Sequence, residues 1–214
     1  MVDVGPRYLV IEGPLGVGKT AFSRLLASRL GARLVLEQTR NPFLSEFYDD
    51  PTRHAFQAQL YFLLSRYQQK DDVHQQDLFA PGGVISDHLF ARDRIFAQLN
   101  LSRDELTLYG KIYGLLGAQV PRPDLVVYLQ ARPDVLVSRL RRRGGEVRLP
   151  PRDYIERVAQ AYAEFFFHYG DSPLLVVNTS EIDFVESRAD LDDLVAVIQR
   201  TRAGVSHYNP LGSR

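Results

Sequence analysis

A glycine-rich loop near the N-terminus carries a lysine and a threonine at fixed spacing. Residues 13–20 read Gly-Pro-Leu-Gly-Val-Gly-Lys-Thr, which fits the pattern G-x-x-x-x-G-K-[ST] between an apolar run and a helix-like run. In this pattern the glycines let backbone N–H groups point at phosphates, the lysine approaches the β- and γ-phosphates, and the threonine hydroxyl binds Mg²⁺. The residues concerned are Gly13, Gly16, Gly18, Lys19 and Thr20. We therefore expect a nucleoside triphosphate site, with a ligand-free strand-to-helix turn as the alternative.

Two carboxylates directly follow strand-like runs. Glu37 comes after the second run and Asp87 after the third. Because ligands of open α/β sheets bind at the carboxyl ends of the strands, we expect both beside the phosphate loop. Glu37 is the candidate general base for a hydroxyl that attacks phosphorus, and Asp87 is a second candidate site carboxylate. The alternatives are a strand-end glutamate without a role and an aspartate that caps the next helix.

One face of a predicted helix combines an aromatic ring, an amide and a guanidinium. Phe56, Gln59 and Arg66 lie at positions i, i+3 and i+10 of that helix and so share a face. The Gln59 amide can bond the edge of a base, while Phe56 or Phe96 supplies a ring for stacking. This face can bind a flat ligand with a polar edge. The alternative is an ordinary amphipathic helix whose glutamine and arginine lie at the solvent-exposed edge of the apolar face.

An arginine-rich run lies in the C-terminal half. Residues 139–146 read Arg-Leu-Arg-Arg-Arg-Gly-Gly-Glu. Arg139 and Arg143 are four residues apart, so they share a helix face from which they can neutralise charge on a transferred phosphoryl group. The following pair of glycines is a natural hinge for a closure that excludes water. We expect a lid, with a solvated charged face or a nucleic-acid patch as the alternative.

The scaffold for these residues is predicted from the alternation of short apolar runs with longer helical patterns. This alternation predicts an α/β fold, with a parallel sheet covered by helices on both faces. Strands are predicted at 8–12, 33–36, 83–86, 125–129 and 174–177. Helices are predicted at 20–30, 51–70, 90–98, 102–117, 134–142, 151–169 and 189–202. Ser102 and Glu105 form a capping box, and residues 203–214 are expected to be a poorly ordered tail.

Composition narrows the class of protein. The 214 residues, 45% of them apolar, fit a single domain over 1–214. Lysine plus arginine and aspartate plus glutamate number 26 each, so no net charge recruits nucleic acid or an anionic membrane. The absence of cysteine excludes disulfides and thiolate chemistry. With no apolar run near the roughly 18 residues of a membrane span and no signal peptide, we expect a soluble, cytoplasmic protein.

A phosphate loop also occurs in GTPases and in ATP-driven motors. GTPases usually recognise guanine with an Asn-Lys-x-Asp run, whereas residues 178–181 after the last predicted strand read Asn-Thr-Ser-Glu. Motors generally need larger or repeated assemblies than this chain offers. These observations favour a kinase that acts on a small molecule.

Three further stretches carry a resemblance to a known family. They are residues 37–66, 86–101 and 173–184. Together with the phosphate loop they resemble the deoxynucleoside kinase family, in its bacterial deoxyadenosine/deoxyguanosine kinase type. The resemblance implies a P-loop kinase fold with a five-stranded parallel sheet flanked by helices and an Arg-rich lid. It also implies a homodimer that transfers the γ-phosphoryl group of ATP, with Mg²⁺, to the 5′-hydroxyl of a deoxynucleoside in nucleotide salvage.

The resemblance assigns roles to particular residues. Glu37 matches the catalytic glutamate, and Tyr48 with the lid residue Glu146 matches the contacts to the sugar 3′-hydroxyl. Arg66 and Asp93 match a pair beside the base in members that accept deoxyadenosine, deoxyguanosine or deoxycytidine. The pair favours purine deoxynucleosides and leaves deoxycytidine open, with a plain interhelical salt bridge as the alternative.

Departures from the family pattern leave some positions open. Relatives carry an acidic residue followed by arginine at this point. If Asp87 is the acidic member, the resemblance implies that it holds Mg²⁺ through water, with His88 in the arginine position. Otherwise Asp87 itself lies on the arginine position. Arg92 or Arg94 could supply the missing charge. Gly145 stands where relatives often have another lid arginine.

Two rival functions remain. A nucleoside monophosphate kinase of the thymidylate kinase type would need cations for the acceptor phosphate, for which Arg40, Arg66 and Arg92 are available. A nucleotide-binding module without catalysis is the rival from another class.

Overall fold

The computed structural model describes residues 8–38, 40–74, 82–143 and 149–210. The strands are β1 (Tyr8–Glu12), β2 (Arg33–Val35), β3 (Val84–Ser86), β4 (Leu125–Gln130), β5 (Leu174–Asn178) and β6 (Val205–Tyr208). The helices are α1 (Lys19–Leu30), α2 (Leu44–Asp49), α3 (Pro51–Gln68), α4 (Lys70–His74), α5 (Asp93–Asn100), α6 (Arg103–Gly117), α7 (Pro133–Arg143), α8 (Arg152–Phe167) and α9 (Arg188–Arg200). A 3-10 turn, Phe90–Arg92, leads into α5.

All strand pairs in the sheet are parallel, in the order β2-β3-β1-β4-β5-β6. The five predicted strands and the α/β class are confirmed. The expected tail is wrong over 205–208, because these residues form β6 and pair with residues 174–177 of β5. The sheet therefore has six strands rather than five, and residues 211–214 lie outside the described part of the chain.

The central strands are apolar on both faces because helices cover both. In β1, Leu9 and Ile11 pack into a cluster that includes Leu26 of α1 and Leu194 of α9. Val10 points to the opposite cluster, which is formed largely with α5 and α8. This two-sided burial explains why the strands lack polar alternation.

Several helices differ in detail from the sequence prediction. The helix predicted over 51–70 ends at Gln68 and is followed by the separate α4. The one predicted over 90–98 begins as the 3-10 turn, and the short α2 was not predicted. The capping box is present, since the Glu105 carboxylate accepts hydrogen bonds from the Ser102 N–H at 2.9 Å and hydroxyl at 2.7 Å. Within the described ranges, no helix is both long enough and apolar enough to cross a lipid bilayer.

Candidate active site

The phosphate loop connects β1 to α1 and needs its glycines for steric reasons. Gly16 and Gly18 have φ angles of +82° and +101°, in the region that only glycine adopts freely. A Cβ at Gly13 would lie 2.3 Å from the carbonyl oxygen of Leu129, and one at Gly16 would lie 2.7 Å from that of Leu136. The loop backbone is therefore packed directly against the end of β4 and against α7.

Lys19 lies over this loop. Its Nζ donates a hydrogen bond to the carbonyl oxygen of Gly13 at 2.6 Å. Burial lowers the pKa of Lys19, and the nearby carboxylate of Glu12 opposes that shift. The ammonium is thus held at the mouth of the loop, within the turn that would receive phosphate.

Asp87 joins the phosphate loop to the end of β2. Its Oδ2 accepts a hydrogen bond from the Thr20 hydroxyl at 2.6 Å, and its Oδ1 accepts one from the Glu37 backbone N–H at 2.7 Å. Burial raises the pKa of Asp87, but the nearby His88, whose Nδ1 lies 3.8 Å from Oδ1, and the hydrogen bonds from Thr20 and the Glu37 backbone hold it below its ordinary value. The carboxylate is therefore ionised at neutral pH and fixed by hydrogen bonds from α1 and from the segment after β2.

The pair formed by Thr20 and Asp87 fits Mg²⁺. It brings a hydroxyl and a carboxylate oxygen together beside the phosphate loop, and Mg²⁺ prefers oxygen ligands of which phosphates and water supply most. Among the described residues no group of three His, Cys, Asp or Glu side chains could hold a metal alone. A sparse protein contribution of this kind is typical of sites where the metal arrives with a nucleotide.

The Glu37 carboxylate has two different oxygens. Oε1 accepts hydrogen bonds from both Arg66 and Arg92. No described group donates to Oε2, and the side chain keeps 16% of its exposure. Burial alone would raise the pKa of Glu37, but the guanidinium groups of Arg92 and Arg66 hold it well below its usual range. One oxygen is fixed and the other remains available to a ligand.

Arg66, Asp93 and Gln59 lie together in a buried position. Arg66 donates to Asp93 Oδ1 as well as to Glu37, and both members of the Arg66–Asp93 pair are almost fully buried. The Asp93 Oδ2 atom is buried without a hydrogen-bond partner. The Gln59 side chain is also buried, and no described residue bonds its amide. Buried polar groups normally have partners, so these free atoms indicate a place for a polar ligand.

The aromatic candidates occupy different environments. Phe96 lies edge-on to Tyr162, with centroids 6.1 Å apart, and beneath the guanidinium of Arg92 at 5.8 Å. Phe56 packs against the cluster around Leu63. Tyr48 is 39% exposed on α2. Phe96 is thus closest to the Glu37 network, while Tyr48 is the accessible one of the three.

Arg139 connects α7 to its surroundings. It donates to the Thr179 hydroxyl at 2.9 Å, and to the carbonyl oxygens of Thr179 at 2.7 Å, Ile182 at 2.9 Å and Val17 at 3.3 Å. In this arrangement it bridges the loop after β5 to the phosphate loop. Arg143 ends α7, but its side chain and all of Glu146 lie outside the described residues.

The sequence left two choices open, between Asp87 and His88 and between Arg92 and Arg94, and in both pairs the structure brings one member to the site. Asp87, not His88, contacts Thr20, while His88 Nδ1 lies 3.0 Å from Ser86 Oγ. Arg92 lies against Glu37, whereas Arg94 is exposed. Arg92 therefore occupies the cationic position beside the carboxylate of Glu37.

Sequence reasoning missed Glu12, which is fully buried at the end of β1 and lies 3.4 Å from Arg92 Nη1. The signal was present, because a charged residue ends an otherwise apolar strand. Its side-chain partners, Arg92 and Tyr162, lie far away in the chain and cannot be read from local pattern.

Comparison with known proteins shows the family of the chain. The family model described as deoxynucleoside kinase matches residues 9–201. The deoxyguanosine kinase of Bacillus subtilis is 30% identical over 198 residues, which cover 90% of this chain and 96% of that protein. The deoxyadenosine/deoxycytidine kinase of the same organism is 28% identical, with 94% of each chain covered. A structure of deoxyadenosine kinase from M. mycoides with bound dATP superposes with a TM-score of 0.73 at 24% identity, covering 89% of this chain and 96% of that one.

The phosphate loop and the parallel sheet define a P-loop nucleotide-binding fold, and the family match makes it that of a kinase. With a family model that spans most of its length, the chain belongs to the deoxynucleoside kinase family and is a nucleotide-binding transferase. The expectations of a P-loop kinase fold and of a deoxynucleoside kinase are confirmed.

Proposed function

We propose that this kinase transfers the γ-phosphoryl group of ATP to the 5′-hydroxyl of a purine deoxynucleoside, as a step of nucleotide salvage. The observation that carries the proposal is the asymmetry of Glu37. Two arginines fix Oε1, while no described group donates to Oε2. The Glu37 backbone N–H is bonded to Asp87, whose other oxygen accepts from Thr20 beside the phosphate loop. A hydroxyl bonded to Oε2 would face a phosphate in the loop.

On the donor side, the loop backbone and Lys19 bind the β- and γ-phosphates. Thr20 and Asp87 would hold Mg²⁺, which neutralises phosphate charge when it is bound. Arg139 and Arg143 belong to the lid that closes over the nucleotide. When Arg139 binds phosphate, its guanidinium gives up some of its hydrogen bonds to Thr179.

On the acceptor side, the 5′-hydroxyl oxygen attacks the γ-phosphorus and the bond to the β–γ bridging oxygen breaks. The hydroxyl proton passes to Oε2 of Glu37. Because Arg66 and Arg92 keep the pKa of Glu37 low, the carboxylate mainly orients the hydroxyl and takes its proton late. This suits a loose transition state, in which positioning and charge neutralisation supply most of the rate enhancement.

The base and the sugar are bound by residues on α2, α3 and α5. Asp93 Oδ2 is buried and unpartnered, and the amide of the buried residue Gln59 bonds no described group, so they can bond the amino group and ring nitrogen at the edge of a purine. Phe56 and Phe96 border the base, while Tyr48 and the lid residue Glu146 bind the 3′-hydroxyl. Cytosine also presents an amino group, which leaves deoxycytidine as a further substrate.

The acceptor is a nucleoside rather than a monophosphate on electrostatic grounds. An acceptor phosphate needs unpaired cations, yet Arg66 and Arg92 already bind the Glu37 carboxylate. Arg40 is exposed and does not build a buried anion site by itself. Intact Lys19 and Glu37 argue against a module without catalysis.

A turnover panel tests the proposal. Wild-type protein, ATP and Mg²⁺ are assayed with the four deoxynucleosides and their monophosphates, beside Glu37→Gln and the exposed control Glu164→Gln. We expect turnover of deoxyadenosine or deoxyguanosine, a fall in kcat of about 10²- to 10⁴-fold in Glu37→Gln, and no change in the control. Activity only on monophosphates, or on no acceptor at all, would overturn the proposal.

We also propose that the protein is a homodimer, with a second copy covering α6. Leu108 and Leu115 of α6 are 50% and 76% exposed, and they lie seven residues apart, on one helix face. On the adjacent α3, Leu64 is 43% exposed. Apolar residues grouped in this way are typical of a face that another protein covers.

A further inference from the structure

A buried carboxylate ends β1, where the strand pattern would accept an apolar residue. Glu12 is fully buried, and four groups contact it. Its Oε2 accepts hydrogen bonds from the Gly13 N–H at 2.8 Å and the Tyr162 hydroxyl at 3.3 Å, and its Oε1 accepts one from the Leu89 N–H at 3.0 Å. Arg92 Nη1 lies 3.4 Å from the same Oε1. Burying a charge is costly, and such a departure from the strand pattern points to a functional requirement.

Arg92 carries the contact from Glu12 onward to Glu37. Its Nη1 lies against Glu12, and its Nη2 donates to Glu37 Oε1. The guanidinium is almost fully buried and is covered by the ring of Phe96. Because a guanidinium is planar and rigid, the positions of its two carboxylate partners are fixed relative to one another.

These contacts form a continuous path through the site. Gly13 belongs to the phosphate loop, and its N–H is bonded to Glu12. Glu12 is joined through Arg92 to Glu37, which we take as the base. We define Glu12, Arg92 and Glu37 as the ionic chain. It spans the ends of β1 and β2 and includes no residue of the arginine-rich run.

We propose that Glu12 and Arg92 are positioning residues, which fix Glu37 relative to the phosphate loop so that the acceptor hydroxyl and the γ-phosphate meet in line. This inference rests on the proposed function. A displacement of about 1 Å in such a geometry costs on the order of 10²-fold in rate. The competing explanation is that Arg92 serves only to neutralise Glu12 and keep the protein folded.

The two explanations differ in a double variant. Arg92→Met alone leaves a buried, unpaired carboxylate at Glu12 and lowers stability. Glu12→Gln combined with Arg92→Met removes both charges, so the melting temperature should recover toward that of wild type. Arg94→Met removes an exposed arginine from the next turn and is the matched control.

The experiment measures kcat, both KM values and the melting temperature for the four proteins, with the best deoxynucleoside as acceptor. In Arg92→Met we expect kcat to fall about 100-fold, with both KM values within about threefold of wild type. The double variant should regain stability while kcat stays low, because Arg66 alone then contacts the Glu37 carboxylate and the link from that carboxylate to Glu12 is lost. Arg94→Met should match wild type in every measurement.

Two results would overturn the inference while leaving the proposed function intact. One is a double variant that regains both its stability and a wild-type kcat, because Arg92 would then only neutralise Glu12. The other is a control that loses as much activity as Arg92→Met. If wild-type protein phosphorylates no deoxynucleoside, the proposed function fails, and the inference fails with it.

Discussion

Glu37 combines two requirements that usually conflict. A carboxylate that bonds a hydroxyl must stay ionised, yet a site that excludes water raises the pKa of a carboxyl group. Arg66 and Arg92 resolve this conflict, because they stabilise the charged form through Oε1 and leave Oε2 to the ligand. The arrangement keeps Glu37 ready at any physiological pH, at the cost of a weaker proton acceptor.

This arrangement predicts how stability depends on pH. The pKa of Glu37 is lowered in the folded protein, so its stabilising contribution is complete above the ordinary glutamate value of about 4.3 and is lost as pH falls toward the folded pKa. Between pH 5 and the acid limit of folding, we expect wild type to lose about 2 kcal/mol more than Glu37→Gln. Urea unfolding followed at a series of pH values measures the difference.

Glu164→Gln serves as the control for this pH series. Because Glu164 is exposed, we expect the free energy of unfolding of this variant to fall at low pH as it does in wild type. Parallel curves for wild type and Glu37→Gln would show that the two arginines do not stabilise the charged form in solution.

Among the elements, the β-strands show what sequence could and could not predict. β4 and β5 are apolar on both faces, a strong pattern that is typical of a strand covered on both sides. β6 carries Ser206 and His207 between its apolar residues and is four residues long at the edge of the sheet. Such a segment has too little pattern to separate it from a tail. The short α2 and α4 escaped prediction for the same reason.

β6 should contribute to stability, although it was expected to be a tail. It bonds the full length of residues 174–177, and the Leu174 N–H donates to the Gly204 carbonyl at 2.9 Å. Ending the chain after Arg202 exposes the edge of an apolar strand. We expect a fall in melting temperature of several degrees, for a loss of about 2 kcal/mol, and aggregation through the new edge.

A chain ended after Pro210 is the matched control for this truncation, because it keeps β6. Calorimetry and light scattering on both truncations provide the measurement. If both truncated proteins have the melting temperature of wild type, β6 does not stabilise the edge of the sheet.

At the level of the whole molecule, strand order brings the site together. β2, β3 and β1 are neighbours in the sheet, and their carboxyl ends lead to Glu37, Asp87 and Glu12. The phosphate loop was predictable because all its residues lie within one short stretch. The pairing of Arg92 with both Glu12 and Glu37 joins residues 80 and 55 positions apart in sequence, so only the fold reveals it.

The proposed dimer gives the last prediction. Leu115 is 76% exposed on α6, and a carboxylate at this position in a protein interface would be buried without a partner. We expect Leu115→Asp to convert a dimer of 24.4 kDa chains into a monomer, as measured by light scattering coupled to size exclusion. Phe167→Asp is the control, since Phe167 is also apolar and 83% exposed but lies on α8, which packs mainly against α5, α7 and β4 rather than against α6, so the dimer should stay intact. A wild-type monomer would contradict the proposal. A Leu115→Asp protein that remains dimeric would contradict it too, because an unpaired charge at the most exposed leucine of a covered face must weaken the dimer.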